Sequence, residues 1–292
     1  MANLICEQCG QPFESIHKTQ KYCGIECRGK AHSAYKQAQL SAERLHVVWS
    51  CGGGVQSSAI AALMVSGQLP KPDYAIMVDV GREKQSTWEH VNAVIIPKLA
   101  SVGVPLHIVK TTDYTDIDLH NNGCLLIPAY EKTESGKKRY KTLCSNTWKT
   151  VIIRRWLRQQ GVRRCVVWIG ISLNEARRVR PSAHQWCENR YPLIEKKMYK
   201  EDCLCLAAQM GWPQAPRTSC WMCPGQTNQE WYVMQRYWPD DWQRAINLEQ
   251  EIQETRPNTY LHSSLGPLGR VDLSKKNPDQ MCIRNINDCV CI

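Results

Sequence analysis

The chain of 292 residues has one phenylalanine and no apolar run near the roughly 20 residues that a spanning helix needs. A membrane role is therefore not expected. The opening MANLICEQCG lacks the long apolar core of a secretory leader, so we expect a cytoplasmic protein. No Gly-Lys-Ser/Thr closes a glycine-rich stretch, which excludes a Walker-type phosphate loop. No internal repeat or low-complexity tract is evident. Aspartate is missing altogether from residues 131 to 200, where 18 Lys/Arg face five Glu. That quarter carries a surplus of +13, more than the +10 of the whole chain. A surface so short of acid calls for a polyanionic partner, with nucleic acid (DNA or tRNA) first.

Cysteine and tryptophan are plentiful, at 16 and 11 residues. In a reducing compartment so many thiols indicate metal sites and redox chemistry rather than disulfides. Residues 1 to 30 hold Cys6-x2-Cys9 and Cys23-x3-Cys27 around a short polar loop. Two close pairs can converge on one tetrahedral Zn²⁺. With only Ile5, Phe13 and Ile16 as large apolar residues, the segment needs a metal to fold. It resembles small treble-clef or zinc-ribbon fingers, which serve nucleic acid, protein contacts or stability alone. His17 and His32 are not expected as ligands. Residues 28 to 44, Ala-rich and free of proline, read as a connecting helix.

The stretch that organises the rest is LHVVWSCGGGVQSS, Leu45 to Ser58. An apolar run stops at Ser50, then Gly52, Gly53 and Gly54 precede Ser57, Ser58 and a helix-friendly AIAALMV. The order is strand, tight turn, helix N-terminus. Free N–H groups and the helix dipole favour an anion there. Further strands are expected at Tyr74 to Gly81, Leu106 to Thr111 and Cys165 to Ser172. Helices are expected at Ser58 to Val65, Thr87 to Leu99 and Thr142 to Gly161, with Asn146 as N-cap and Gly161 as stop. Residues 112 to 140 read as a surface loop. Strands alternating with helices give an α/β fold with a doubly wound parallel sheet. Ser50, Asp79 and Thr111 would lie at its ligand-binding carboxyl edge. The organisation expected is a finger and connecting helix at 1–40, a nucleotide-binding domain at 41–200 and a Cys-rich helical lobe at 201–292. In the lobe, helices are expected over Glu230 to Tyr237 and Asp240 to Glu254, with their tryptophans in the core.

Gly52 to Ser58 lies in register with SGGxDS, the PP-loop signature of ATP pyrophosphatases, with Gly52 in place of the first Ser and Gln56 in place of the Asp. VDVG, CSNTWK, GISLNEARR and YPLIE follow in order. Together they resemble the phosphoadenosine phosphosulfate reductase-like branch of that superfamily over residues 45 to 230, a branch that includes phage and DNA-sulfur-modification proteins. The resemblance implies that Ser50, Gly52, Gly53, Gly54, Ser57 and Ser58 hold the phosphates of ATP with Mg²⁺. It places Asp79, Gly170 and Glu175 beside the nucleotide, and it gives Ser57, Arg177 and Arg178 catalytic roles. The Asp that helps manage Mg²⁺ and pyrophosphate is missing, because Gln56 stands there. The reductases' ECGxH-type segment is absent, which counts against sulfonucleotide reduction.

Cys203, Cys205 and the Cys220/Cys223 pair in SCWMCPGQ form a second cysteine group. Sulfur-handling relatives bind a [4Fe–4S] cluster with a cysteine near CSNTWK and a downstream CxxC. This implies Cys144, Cys203, Cys220 and Cys223 as ligands of such a cluster or of zinc. Cys205, Cys289 and Cys291 stand in reserve for Cys203, and Cys282 has no assigned role. The leading function expected is an enzyme that transfers AMP from ATP to an acceptor, releases pyrophosphate and thiolates a nucleic acid or nucleotide. The alternatives are a sulfonucleotide reductase and a non-catalytic nucleotide sensor. A homo-oligomer, or a protein partner at the finger, is also open.

Overall fold

The computed structural model describes residues 2–274 apart from Ile16 and Lys18. The tail thiols Cys282, Cys289 and Cys291 lie outside the described residues. The finger is a hairpin, β1 (Ala2–Ile5) against β2 (Pro12–Ser15), followed by α1 (Ile25–Ala42). The connecting helix thus starts inside the finger, at its last cysteine pair.

The chain then runs through β3 (Leu45–Ser50), α2 (Val55–Val65), β4 (Tyr74–Asp79), α3 (Gln85–His90) and α4 (Ile96–Ala100) to β5 (Leu106–Lys110). A π-helical turn, Val91–Ile95, joins α3 to α4 where one long helix is expected. Residues 112 to 140, expected as loop, contain β6 (His120–Asn121), β7 (Cys124–Leu125), β8 (Tyr130–Thr133) and β9 (Gly136–Arg139). The missed signal is Asn122-Gly123, both at positive φ, the two-residue turn that closes a hairpin. Leu125, Leu126, Ile127 and Ala129 are buried, which anchors this segment to the core.

A π turn, Asn146–Thr150, leads into α5 (Val151–Gln159), so Asn146 lies inside the helical segment rather than capping it. Gly161 does supply the stop, at φ +75°. After β10 (Arg164–Ile169) and β11 (Cys187–Arg190) come α6 (Pro192–Glu195), α7 (Lys200–Gln209), α8 (Asn228–Tyr237), α9 (Pro239–Thr255) and β12 (Thr259–Tyr260).

The central sheet has the order β11-β10-β3-β4-β5, and every pairing in it is parallel. Alternation along the strands fills both faces. Val48, Ile76, Val78 and Val167 join one core with Ile152 and Leu157 of α5 and Trp231 and Trp242 of the lobe. Trp49, Ala75, Met77 and Trp168 join the other with Ile60 and Leu63 of α2 and Leu99 of α4. This is the doubly wound α/β fold expected, and the lobe's Trp231 and Trp242 are core. Each large apolar side chain so buried contributes roughly 1.5–3 kcal/mol. From β3 the chain builds outward to β4 and β5, then crosses to build β10 and β11 on the other side. The crevice between the ends of β3 and β10 is therefore the topological switch point, where ligands bind in such sheets.

Candidate functional site

The glycine-rich turn sits at that switch point. Ser50, the last residue of β3, is in register with Ile169 of β10, and Gly170 follows directly. The first hydrogen bond of α2 runs from the Ser58 N–H to the Gly54 carbonyl, and Gly54 caps the helix without a side-chain bond. The N–H groups of Val55, Gln56 and Ser57 precede that bond, so they have no partner within the helix. Two of the glycines are needed for space. A Cβ on Gly53, at φ +76°, would lie 3.0 Å from both Thr87 and Val91. A Cβ on Gly54 would lie 2.6 Å from Thr218 Oγ1. Gly52 has room, and its N–H donates to Ser57 Oγ at 2.8 Å, which closes the turn on itself. Ser58 turns inward instead: its hydroxyl is 2.8 Å from Nε2 of the buried His90 and its N–H donates to the Gly54 carbonyl, so it offers the turn's open side neither group.

Across the crevice, Gln56 reaches the loop after β10. Its Nε2 donates to Glu175 Oε2 at 3.1 Å and lies 3.5 Å from Ser172 Oγ. A Cβ on Gly170 would approach Gln56 Cβ to 3.3 Å, so the glycine lets α2 come close. Glu175 also accepts from Arg178 at 2.5 Å, while Arg177 is exposed. An aspartate at position 56 would set two carboxylates face to face here; the glutamine amide instead gives Glu175 a donor. Asp79 ends β4 and accepts the Gly81 N–H at 2.7 Å, and Thr111 donates to the Trp148 carbonyl at 3.0 Å.

The segment that presses Thr218 on Gly54 continues to the CxxC pair. Cys220 forms an antiparallel bridge with Glu83, just beyond β4, and the Trp221 N–H donates to the Arg82 carbonyl at 2.9 Å. Glu83 is buried and accepts from Lys149 Nζ at 2.6 Å. Burial opposes the charge of Lys149, but Glu83, Cys220 and Cys144 outweigh it and hold the ammonium above the ordinary lysine range. Burial raises the Cys144 thiol, and the nearby Cys223 raises it further. Burial likewise raises Cys220, with Glu83, Cys223 and Cys144 adding to it and Lys149 opposing. Burial pushes Cys51 up to about 12, with Lys149 near enough to oppose it. Cys144, Cys220 and Cys223 thus share one electrostatic neighbourhood, which Lys149 also enters.

Cys203 does not join them. It is buried on α7 in the opposite core, packed in a small cavity with Val55 and Ser58 of α2 and with Ala207 and Trp212. Burial, then Asp202 and Glu201, push its thiol up to about 12. The expected four-cysteine set is not assembled: among the described residues the sulfurs close enough to share a metal are those of Cys6, Cys9, Cys23 and Cys27, and Cys203 stands apart from Cys144 and Cys220. The reason is that α7 lies on the α2 face of the sheet, whereas Cys144 and Cys220 pack on the α5 face.

The first cysteine group does assemble. Among the described residues, Cys6, Cys9, Cys23 and Cys27 have their sulfurs all within 4.8 Å of one another. Cys9 and Cys23 are 3.8 Å apart and Cys23 and Cys27 3.5 Å. Four metal–sulfur bonds of about 2.3 Å in a tetrahedron put the sulfurs about 3.8 Å apart. The group can therefore hold a metal. Burial acts to raise the Cys6 thiol, but hydrogen bonds from the backbone of Cys23, Cys9 and Gln8 outweigh it and hold it at about 6.

Sequence reasoning missed Glu83, Lys149 and Thr218. Lys149 stands in CSNTWK and Glu83 four residues past Asp79, but only the fold brings them to Cys220. Part of the basic surplus lines an open groove of about 620 Å³ along α5, with Arg154, Arg155 and Arg158, and part lies on the β8–β9 hairpin.

No family model and no curated protein matches this chain. Among the solved structures that resemble it are two enzymes. One is the U34-tRNA thiolase NcsA from Methanococcus maripaludis with its [4Fe–4S] cluster, at 16% identity and TM-score 0.43 over 88% of this chain and 83% of that one. The other is a phosphoadenylyl-sulfate reductase from Candida auris in complex with phosphate, at 14% identity and TM-score 0.38 over 69% of this chain and 92% of that one. Both TM-scores are below 0.5, so the doubly wound fold rests on this chain's own strand order and register.

Proposed function

We propose that the protein is an ATP-using enzyme that transfers AMP to a nucleic acid or nucleotide acceptor and takes part in its thiolation. The observation that carries this reading is the open N-terminus of α2 at the switch point, with the segment that leads from Thr218 to Cys220 packed against Gly54. ATP would lay its phosphates on the N–H groups of Val55, Gln56 and Ser57. An acceptor oxygen would attack the α-phosphorus, the bond to the bridging oxygen would break, and pyrophosphate would leave with Mg²⁺. The fixed amides, with the exposed Arg177 and with Arg178, would stabilise the developing charge. A sulfur nucleophile would then displace AMP from the activated carbon.

Cys144, Cys220 and Cys223 are the residues that would hold a [4Fe–4S] cluster or zinc. A three-thiolate donor set fits a centre with one position open to a sulfur ligand or substrate, and a bound cluster would supply that sulfur-binding site. In the finger, zinc is the proposed metal.

The test is to measure pyrophosphate release from ATP by the full chain with and without DNA or tRNA. Release stimulated by one of them is the expected result. Absence of nucleotide binding at millimolar ATP would reject the reading.

A further inference from the structure

The hairpin of β8 and β9 carries no assignment in the chemistry above. Residues 130–141 hold five cations (Lys132, Lys137, Lys138, Arg139 and Lys141) against Glu131 and Glu134. All four residues of β9 are exposed, and β9 is the edge of the small sheet β12-β8-β9. The cationic heads are set in order by two rings. Lys137 Nζ and the Arg139 guanidinium lie 5.6 and 5.4 Å from the centre of the Tyr130 ring, and Lys138 Nζ lies 5.5 Å from that of Tyr140. Arg256 lies 5.9 Å from the Tyr140 ring as well.

Lysines on an edge strand also discourage strand addition, but that role does not require a place beside Cys223. The hairpin has one. The Tyr130 hydroxyl lies 3.4 Å from the Pro224 carbonyl, next to Cys223. Arg139 Nη2 and Cys223 Sγ lie 3.5 and 3.6 Å from one point above Gly225, so they are no more than about 7 Å apart.

We propose that this hairpin receives the acceptor strand: it grips the sugar-phosphate backbone of a polynucleotide without reading its bases and lays the strand beside Cys223. The proposal rests on the reading that the acceptor is a nucleic acid, and it names the surface that holds it. The tyrosine faces are covered by cations, so they are not free as stacking platforms for bases. What β9 offers instead is Lys137 and Arg139 on one face and, on the other, Lys138, which is paired with Glu131 at 3.3 Å until a phosphate competes for it; contacts of that kind position a backbone rather than specify a sequence.

The experiment is fluorescence anisotropy of the full-length protein with labelled tRNA and with two single-stranded oligonucleotides of different sequence, over a series of KCl concentrations. The comparison is between wild type, Lys137→Glu/Lys138→Glu, and Lys71→Glu/Lys98→Glu, a charge-reversed control on remote surface. Melting curves and metal content verify that each variant is folded. The hairpin variant should bind about 30-fold or more weakly at low salt, with its log–log salt slope shallower by about one to two; the control should match wild type. The two oligonucleotides should bind alike, and a backbone-attached photocrosslinker should label residues 130–141 or 220–225. Wild-type binding that the hairpin variant retains, or affinity set by base sequence more than by salt, would overturn the proposal and leave a nucleic acid acceptor standing. If wild type binds no strand at low salt, the acceptor reading falls and the hairpin's role falls with it.

Discussion

The finger brings four sulfurs within 4.8 Å of one another, while the sheet edge only sets its cysteines in one electrostatic neighbourhood, and the two arrangements arise by opposite routes. In the finger, four thiols within 22 residues of sequence come together around a two-stranded hairpin and the first turn of α1. Few apolar residues surround them, so a bound metal would supply much of the segment's folding energy. At the sheet edge, Cys144 precedes α5 while Cys220 and Cys223 come more than 70 residues later. Cys220 is placed by β4, the Glu83 bridge and the close seat of Thr218 on Gly54. Chain-distant packing sets the neighbourhood of the sheet-edge cysteines, whereas the finger's four sulfurs come within metal-sharing distance of one another through local spacing. Local spacing is enough to encode the first kind of site, whereas the second exists only once long-range packing has formed.

Metal removal is the most severe test of this contrast. Stripping the finger of its metal should unfold residues 2–27, since structural zinc supplies on the order of 10 kcal/mol of folding energy in fingers of this kind. The central sheet should keep its own transition. Amide exchange read residue by residue checks both, and a finger that stays protected without metal would break the comparison.

Gly54→Val comes next. Its Cβ would enter the 2.6 Å space beside Thr218, displacing the segment that carries Cys220. A loss of about 1–3 kcal/mol is expected, together with loss of both nucleotide binding and metal at the second site. Calorimetry and metal analysis read these separately, and a loss of only one would show that the turn and the trio are not coupled.

Cys220→Ser and Cys203→Ser sharpen the membership of the trio. The first should remove metal from the sheet-edge site while the finger keeps its own; the second should leave both contents unchanged. Metal stoichiometry after anaerobic purification decides it.

The smallest effect concerns Ser58 and His90. Burial lowers the His90 pKa from its ordinary 6.5, so the unfolded chain takes up the proton first as pH falls. Stability from this pair is complete above pH 6.5 and drains as pH drops from there through the folded value. His262 shifts in the same direction through burial and Lys137. Denaturant midpoints between pH 7 and pH 5 should fall for wild type and fall less for His90→Asn.

Much of this was legible before any coordinates. The strand–glycine–helix order of Leu45 to Ser58 and the finger's paired spacing are local signals, and both appear where expected. The parallel sheet was legible as well, because its strands are short apolar runs between helices. The failures share a physical cause. Cys203 belongs with Cys220 by chain proximity, but α7 carries it to the other face of the sheet. Residues 112 to 140 look polar because their outer strands are charged, while the Leu125–Ala129 run that anchors them is brief. Lys149 and Glu83 look like surface charges until the fold buries their pairing.

The most direct test of the nucleotide cradle is amide exchange of the full chain with and without ATP and Mg²⁺. Slowed exchange confined to residues 50–58 and the Gly170–Arg178 loop is the expected result. Unchanged exchange there at saturating ATP, or protection only elsewhere, would contradict it.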